Sequence, residues 1–202
     1  QHHLFRFRLF ESENKVVIAE KSSYNLSGNS LPGIAAAIAE GAEVLRLVAV
    51  MTADQKVILL DDARLNEETG VQELFPDRAA ADGLYYPIDF SYQEIQQLPP
   101  GNEPLPDQSD FPENSPAFLQ IPLLSEALEL INSMTAGTGR RPEIVLELKQ
   151  NWRYLHQGMD ISHRALSLMA QHGFNGENDG FVATYDPEEL KRIHDEIMPA
   201  LG

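Results

Sequence analysis

Two short apolar runs set side by side within Val44–Asp62 constrain this chain more than any other feature. Val44, Leu45, Leu47, Val48, Ala49 and Val50 make the first. Val57, Ile58, Leu59 and Leu60 make the second, and Thr52-Ala53-Asp54-Gln55 links them. Runs this short, rich in β-branched residues and bounded by polar ones, fit strands covered on both faces. Upstream, Ser30 as N-cap and Pro32 in the first turn predict a helix that carries Ile34, Ala37 and Ile38 toward the core and stops near Gly41. Strand, helix and strand in this order, followed by Val57–Leu60, predict an α/β fold with parallel strands alternating with helices. Chemistry in such sheets gathers at the carboxyl ends of the strands. That directs attention to the end of the first run and to Asp61-Asp62.

The rest of the chain reads as more of the same. Leu4–Phe10 alternates apolar and basic residues, the pattern of a half-buried strand with Arg6 and Arg8 on a solvated face. Val16–Ala19 is a short apolar strand ending at Glu20-Lys21. Further strands are expected at Glu143–Lys149 and Phe181–Thr184. Helices are expected at Ser91–Leu98, at Leu124–Ser133 with Leu124, Leu128 and Ile131 on one stripe, at Ile161–His172, and at Glu188–Met198 behind Pro187. Gly101–Pro116 is rich in Pro, Asp, Asn and Ser and lies in an extended insertion loop placed at 99–120. The whole of 1–202 reads as one domain with about five core strands and an N-terminal one, where a closed (β/α)₈ barrel needs eight in ~250 residues. An open parallel sheet exposes strand edges, so self-association as a homo-oligomer, or a partner, is expected.

The 202 residues carry a formal net charge of −16 with an ordinary apolar fraction. That acidity argues against nucleic acid or an anionic membrane as partner. It also repels a phosphodiester unless a cation or local basic residues intervene. With no cysteine, disulfides and thiolate chemistry are excluded. No run is long enough to span a bilayer, so no membrane insertion is expected. No Gly-rich phosphate loop, nucleophile elbow or zinc motif is present.

GAEVLRLVAVMTADQKVILLDDARLNEETG (Gly41–Gly70) and LFPDRAAADGLYYPIDFSYQEIQQL (Leu74–Leu98) resemble the glycerophosphodiester phosphodiesterases, most closely their bacterial periplasmic branch. The resemblance runs from about Val16 to the C-terminus, with several separated motifs in the right order. It implies a TIM-barrel-like fold, here an incomplete barrel lacking the C-terminal strands. It also implies a link to lipid metabolism and a periplasmic or extracellular location.

The family's site residues fall on a partly altered set. A His-Arg-Gly triplet at the first strand corresponds to Glu20-Lys21-Ser22. Asn29 and Ser30 remain from the box at the next helix start. The two metal carboxylates of the second strand, two residues apart and so facing one way, correspond to Arg46 and Val48. The His-Asp pair of the third strand corresponds to Asp61-Asp62. Glu147 and Lys149 match a third metal carboxylate and a phosphate-binding lysine, and Trp152 lies in the matching stretch Asn151–Ser162. An internal Arg–carboxylate network is expected, with Arg46 beside Glu147 and Asp61 or Asp62 in place of a cation.

Two functions follow from the resemblance, and a third reading, a structural or interaction domain whose site is vestigial, follows from the missing strands. In the leading one the chain is a degenerate, non-catalytic homologue, a pseudoenzyme that takes a phosphate-containing or polyol ligand or a protein partner. Lys21, Asn29, Arg46, Lys149 and Trp152 then bind ligand, and no cofactor is expected. In the alternative the chain is an active phosphodiesterase releasing glycerol 3-phosphate and an alcohol. Glu20 and Asp61 then stand in for the catalytic histidines, and Asp62 and Glu147 hold Ca²⁺ or Mg²⁺.

Overall fold

A computed structural model of the protein describes residues 8–11, 29–65, 69–98 and 120–201, the first of these as backbone alone. The strand expected at Val16–Ala19, with Glu20 and Lys21 at its end, lies outside the described residues. So does all but the last residue of the loop expected at 99–120.

In chain order the elements are β1 (Arg8–Glu11), α1 (Leu31–Ala39), β2 (Val44–Met51), β3 (Val57–Leu59), α2 (Val71–Leu74), α3 (Tyr92–Ile95), α4 (Leu124–Thr135), β4 (Glu143–Leu148), α5 (Asn151–His156), α6 (Ile161–Gln171), β5 (Gly180–Thr184) and α7 (Pro187–Arg192). The last helix runs on through a wider turn at Ile193–Ile197 to Leu201. The five strands form one open sheet in the order β1-β5-β4-β2-β3. β1 pairs with β5, β5 with β4, and β4 with β2, all in parallel.

β3 departs from the expected parallel arrangement. It runs antiparallel to β2, pairing Ala49 with Leu59 and Met51 with Val57. The reason is loop length. A parallel crossover takes roughly a dozen residues or more, whereas Thr52–Lys56 can only turn the chain back on itself. Thr52 shapes that turn, its N–H and hydroxyl reaching the Lys56 carbonyl while Oγ1 accepts the Lys56 N–H. Gln55 sits in the turn at φ +60°.

Alternation along the strands separates two faces. Leu45, Leu47, Ala49, Met51, Ile144, Leu146, Leu148 and Val182 pack with α1, α4 and α6 in the main core. On the other face Val50 and Ile58 join Tyr85, Phe90, Ile95 and Leu98 in a second cluster. Arg46, Val48, Val145 and Glu147 share this second face by the same alternation.

Local signals place the helices. Ser30 Oγ accepts the Gly33 N–H at 3.1 Å at the start of α1, and Gly41 ends that helix at φ +84°. Ser91 and Glu94 exchange hydrogen bonds as a capping box on α3. Glu126 accepts the Leu123 N–H at 2.9 Å ahead of α4. The short α2 over Val71–Leu74 was not expected from sequence. Gly180 is required by close approach: a Cβ there would lie 1.9 Å from the Ile144 carbonyl oxygen of the neighbouring strand.

Candidate functional site

Glu147 is the centre of the site. It lies at the carboxyl end of β4, opposite Val48 in the ladder, and its side chain is 0% exposed. A buried carboxylate needs cations or donors to offset its desolvation, and two basic side chains supply them. Arg46 donates from Nε at 2.9 Å and from Nη2 at 2.5 Å, both to Oε2. Lys149 Nζ lies 2.9 Å from Oε1. The two cations therefore grip opposite oxygens of one buried carboxylate.

Strand geometry explains the arrangement. Arg46 pairs with Val145 and so sits one step diagonally from Glu147 on the same face. Lys149 follows Glu147 by two residues and points the same way. Arg46 stays 39% exposed and Lys149 23%, so both carry charge to the rim of the site. The ammonium of Lys149 also lies 5.1 Å from the centre of the Tyr185 ring, a cation–π contact from the end of β5.

Asn29 knits the neighbouring edge. Its Oδ1 accepts the buried Val48 N–H at 2.8 Å, and its Nδ2 donates to Asp61 Oδ1 at 2.5 Å. The Val48 carbonyl is taken by the Leu60 N–H, so this single side chain completes the hydrogen bonding of β2 where β3 ends. Asp62 faces Arg64 across 3.4 Å. The expectation that Arg46 would lie beside Glu147 is met. Its extension to Asp61 or Asp62 is corrected: the first accepts from Asn29 and the second pairs with Arg64, because the chain leaves the sheet immediately after Leu60.

Trp152 stands 55% exposed on α5. Arg153 beside it stacks between two rings, 3.7 Å from the Tyr86 centroid and 4.9 Å from that of Trp152. Tyr86 in turn donates to Asp82 at 2.5 Å. Under α5, the Tyr154 hydroxyl accepts the Met51 N–H at 2.9 Å. Burial pushes the Tyr154 hydroxyl up to about 12, so it stays neutral as the acceptor that ties α5 to the end of β2. Sequence reasoning pairs Trp152 with Tyr154 as pocket lining or aromatic packing, and Tyr154 is buried in the core. It missed Tyr185 and Arg153: Tyr185 directly follows a strand and could have been found by the strand-end rule, whereas the Arg153–Tyr86 contact is long-range and carries no local signal.

Among the described residues no three His, Cys, Asp or Glu side chains gather to hold a metal ion. A Ca²⁺ or Mg²⁺ site needs several carboxylate or carbonyl oxygens free to converge. Both oxygens of Glu147 are instead engaged by cations, and Asp61 and Asp62 are bonded elsewhere. The described residues, as arranged, do not fit a divalent cation.

The described strands form an open, mainly parallel α/β sheet with a carboxylate-centred cluster at its strand ends, an arrangement related to α/β barrels. The chain belongs to the glycerophosphoryl diester phosphodiesterase family, which it matches over residues 22–200. A glycerophosphodiester phosphodiesterase of Treponema pallidum (strain Nichols) is 34% identical over 173 residues, covering 81% of this chain and 48% of the relative. One of Haemophilus influenzae is 30% identical over 198 residues, covering 94% of this chain and 54% of the relative. The chain thus spans about half the length of these curated relatives. Among solved structures, a glycerophosphodiester phosphodiesterase from Agrobacterium tumefaciens superposes with a TM-score of 0.54 at 18% identity, over 89% of this chain and 61% of that one. An Oleispira antarctica phosphodiesterase in complex with the product sn-glycerol-3-phosphate gives a TM-score of 0.54 at 17% identity, over 83% of this chain and 56% of that one. These likenesses show a shared barrel-type fold, and among the described residues the sheet does not close into a barrel.

Proposed function

We propose that this chain is a metal-independent binding homologue of the phosphodiesterases, taking a phosphate-bearing polyol such as glycerol 3-phosphate at the Arg46–Glu147–Lys149 cluster. The observation that carries it is the double occupation of Glu147 by Arg46 and Lys149. A fixed guanidinium and an ammonium serve a phosphate as a cation would, without an ion to recruit. Arg46 bonds Glu147 through Nε and Nη2 while its side chain stays 39% exposed, so part of the guanidinium is open to solvent. The ring of Tyr185, 5.1 Å from the Lys149 ammonium and 62% exposed, offers an apolar wall for a carbon skeleton. The sn-glycerol-3-phosphate bound by the Oleispira antarctica phosphodiesterase supports this ligand class by fold alone. A periplasmic or extracellular setting and a place in lipid metabolism belong to the same reading.

A second reading, an active phosphodiesterase, is favoured by the two curated relatives, both glycerophosphodiester phosphodiesterases. It requires Arg46 to release Glu147 and a divalent cation to take its place. Release of glycerol 3-phosphate from glycerophosphocholine, with Ca²⁺ or Mg²⁺ and with chelator, separates the two. The binding reading expects no turnover in folded protein under any of these conditions. Metal-dependent turnover abolished by Glu147→Ala would establish the enzyme instead.

A further inference from the structure

We infer that a second anion site, independent of the Glu147 cluster, lies in the groove between the β2–β3 turn and helices α4 and α6, and that it takes a small phosphate monoester with an apolar substituent. The groove has a volume of about 460 Å³, within the usual range for small-molecule sites. Lys56, His163 and Arg164 line it together with the hydroxyls of Ser125 and Ser167, and no aspartate or glutamate does. In a chain of net charge −16, a groove lined by basic groups and by no carboxylate favours an anionic occupant.

Asp54 and Asp160, which neighbour lining residues in sequence, are already committed. Asp54 Oδ1 accepts from Thr52 Oγ1 at 2.5 Å and from the Tyr92 N–H at 3.0 Å. Asp160 takes both terminal nitrogens of Arg192, at 2.8 and 2.9 Å, and the His163 N–H at 3.0 Å. Arg164 lines the groove and its Nε donates to Gln55 Oε1 at 2.9 Å, a bond that does not use its two terminal nitrogens. Gln55 supplies that bond from a backbone at φ +60°, a conformation that side chains other than glycine rarely adopt. A planar fork matches two phosphate oxygens, and Lys56 adds a second charge against the dianion. Val57, Leu123 and Leu168 add apolar lining for the ester group.

The site lies apart from the Glu147 cluster in the fold. Val57 and Leu168 pack with the helix-side core, whereas Glu147 alternates to the other face of the sheet. The test is a titration of the full chain with phenyl phosphate in chelator, followed by backbone amide shifts. Saturable shifts are expected at Ser125, His163, Arg164 and Ser167. Lys56→Gln combined with Arg164→Gln should weaken them roughly tenfold or more. Lys149→Gln should leave them unchanged, which separates this site from the one under the proposed function. The amide spectrum itself reports whether each variant is folded. Absence of saturable shifts at these residues, or shifts unaltered in the double variant, would overturn the inference. Shifts confined to residues around Lys149 would overturn it while leaving the proposed function standing.

Discussion

Arg46 and Glu147 lie 101 residues apart and meet through two hydrogen bonds to one carboxylate oxygen. The contact joins neighbouring parallel strands at the end of the sheet where α/β proteins place their chemistry. Because Lys149 holds the other oxygen, the carboxylate is fully engaged from within the protein. This single relationship decides how the site can be used.

Removing Arg46 should therefore cost stability. Loss of the only partner of a buried carboxylate costs about 3–5 kcal/mol, and with Lys149 remaining and Arg46 itself part-exposed we expect about 2 kcal/mol for Arg46→Met. Urea unfolding of wild type and variant measures this. Arg46→Lys should recover part of the loss by restoring charge without the guanidinium geometry. A variant as stable as wild type would show that the pair contributes nothing.

A metal site should be installable. Val48 stands opposite Glu147 in the ladder, and residue 46 shares its face. Arg46→Glu with Val48→Asp would set two new carboxylates beside Glu147, the clustered oxygen set that Ca²⁺ prefers. The double variant should be less stable than wild type in chelator, because Val48 is fully buried, and should gain thermal stability on adding Ca²⁺. Wild type should show no such gain. Equal calcium responses in both proteins would show that the native residues already bind the ion.

Tyr154 gives a handle at alkaline pH. Its hydroxyl is pushed up to about 12 from an ordinary value near 10, so the folded state holds the proton more tightly than the unfolded state. The stability this supplies is complete below pH ~10 and is lost as pH rises toward the folded value. Unfolding followed across that range should show a decline that Tyr154→Phe reduces. At neutral pH the same substitution should cost about 1–3 kcal/mol, since it leaves the buried Met51 N–H without an acceptor.

Asp160 gives the acid counterpart. Burial raises its carboxyl, but the hydrogen bonds from Arg192 and the His163 N–H outweigh this and hold it below the ordinary value of 3.8. Its contribution to stability is present above pH ~3.8 and lost as pH falls from there through the lower folded value. Arg192 also bonds Glu189, and Glu189 accepts from the buried Ser162 hydroxyl at 2.5 Å, so the cluster ties α7 to the start of α6. Arg192→Gln should lower the thermal midpoint at pH 7 and flatten the acid limb of the stability profile. An unchanged acid limb would remove Asp160 as its source.

The helices and most strands were legible because their signals are local. Ser30 with Pro32, Ser91 with Glu94, and Asp186 with Pro187 each mark a helix start within a few residues, and each lies where expected. The direction of β3 is equally local: order of elements alone suggests a parallel strand, but a link as short as Thr52–Lys56 dictates a hairpin. The Arg46–Glu147 contact was readable because two residues on one strand face and a match in family position limited the choices. The partners of Asp61 and Asp62 were not, because they depend on how the chain turns after Leu60. The Gln55–Arg164 bond spans 109 residues and leaves no trace in either segment alone.

The most direct test of the account is calorimetric titration of the full chain with glycerol 3-phosphate, first in chelator and then with excess Ca²⁺. The account predicts the same saturable binding in both, roughly tenfold weaker in Lys149→Gln. Binding that appears only with Ca²⁺ would contradict it, and would mean that Arg46 yields Glu147 to the ion.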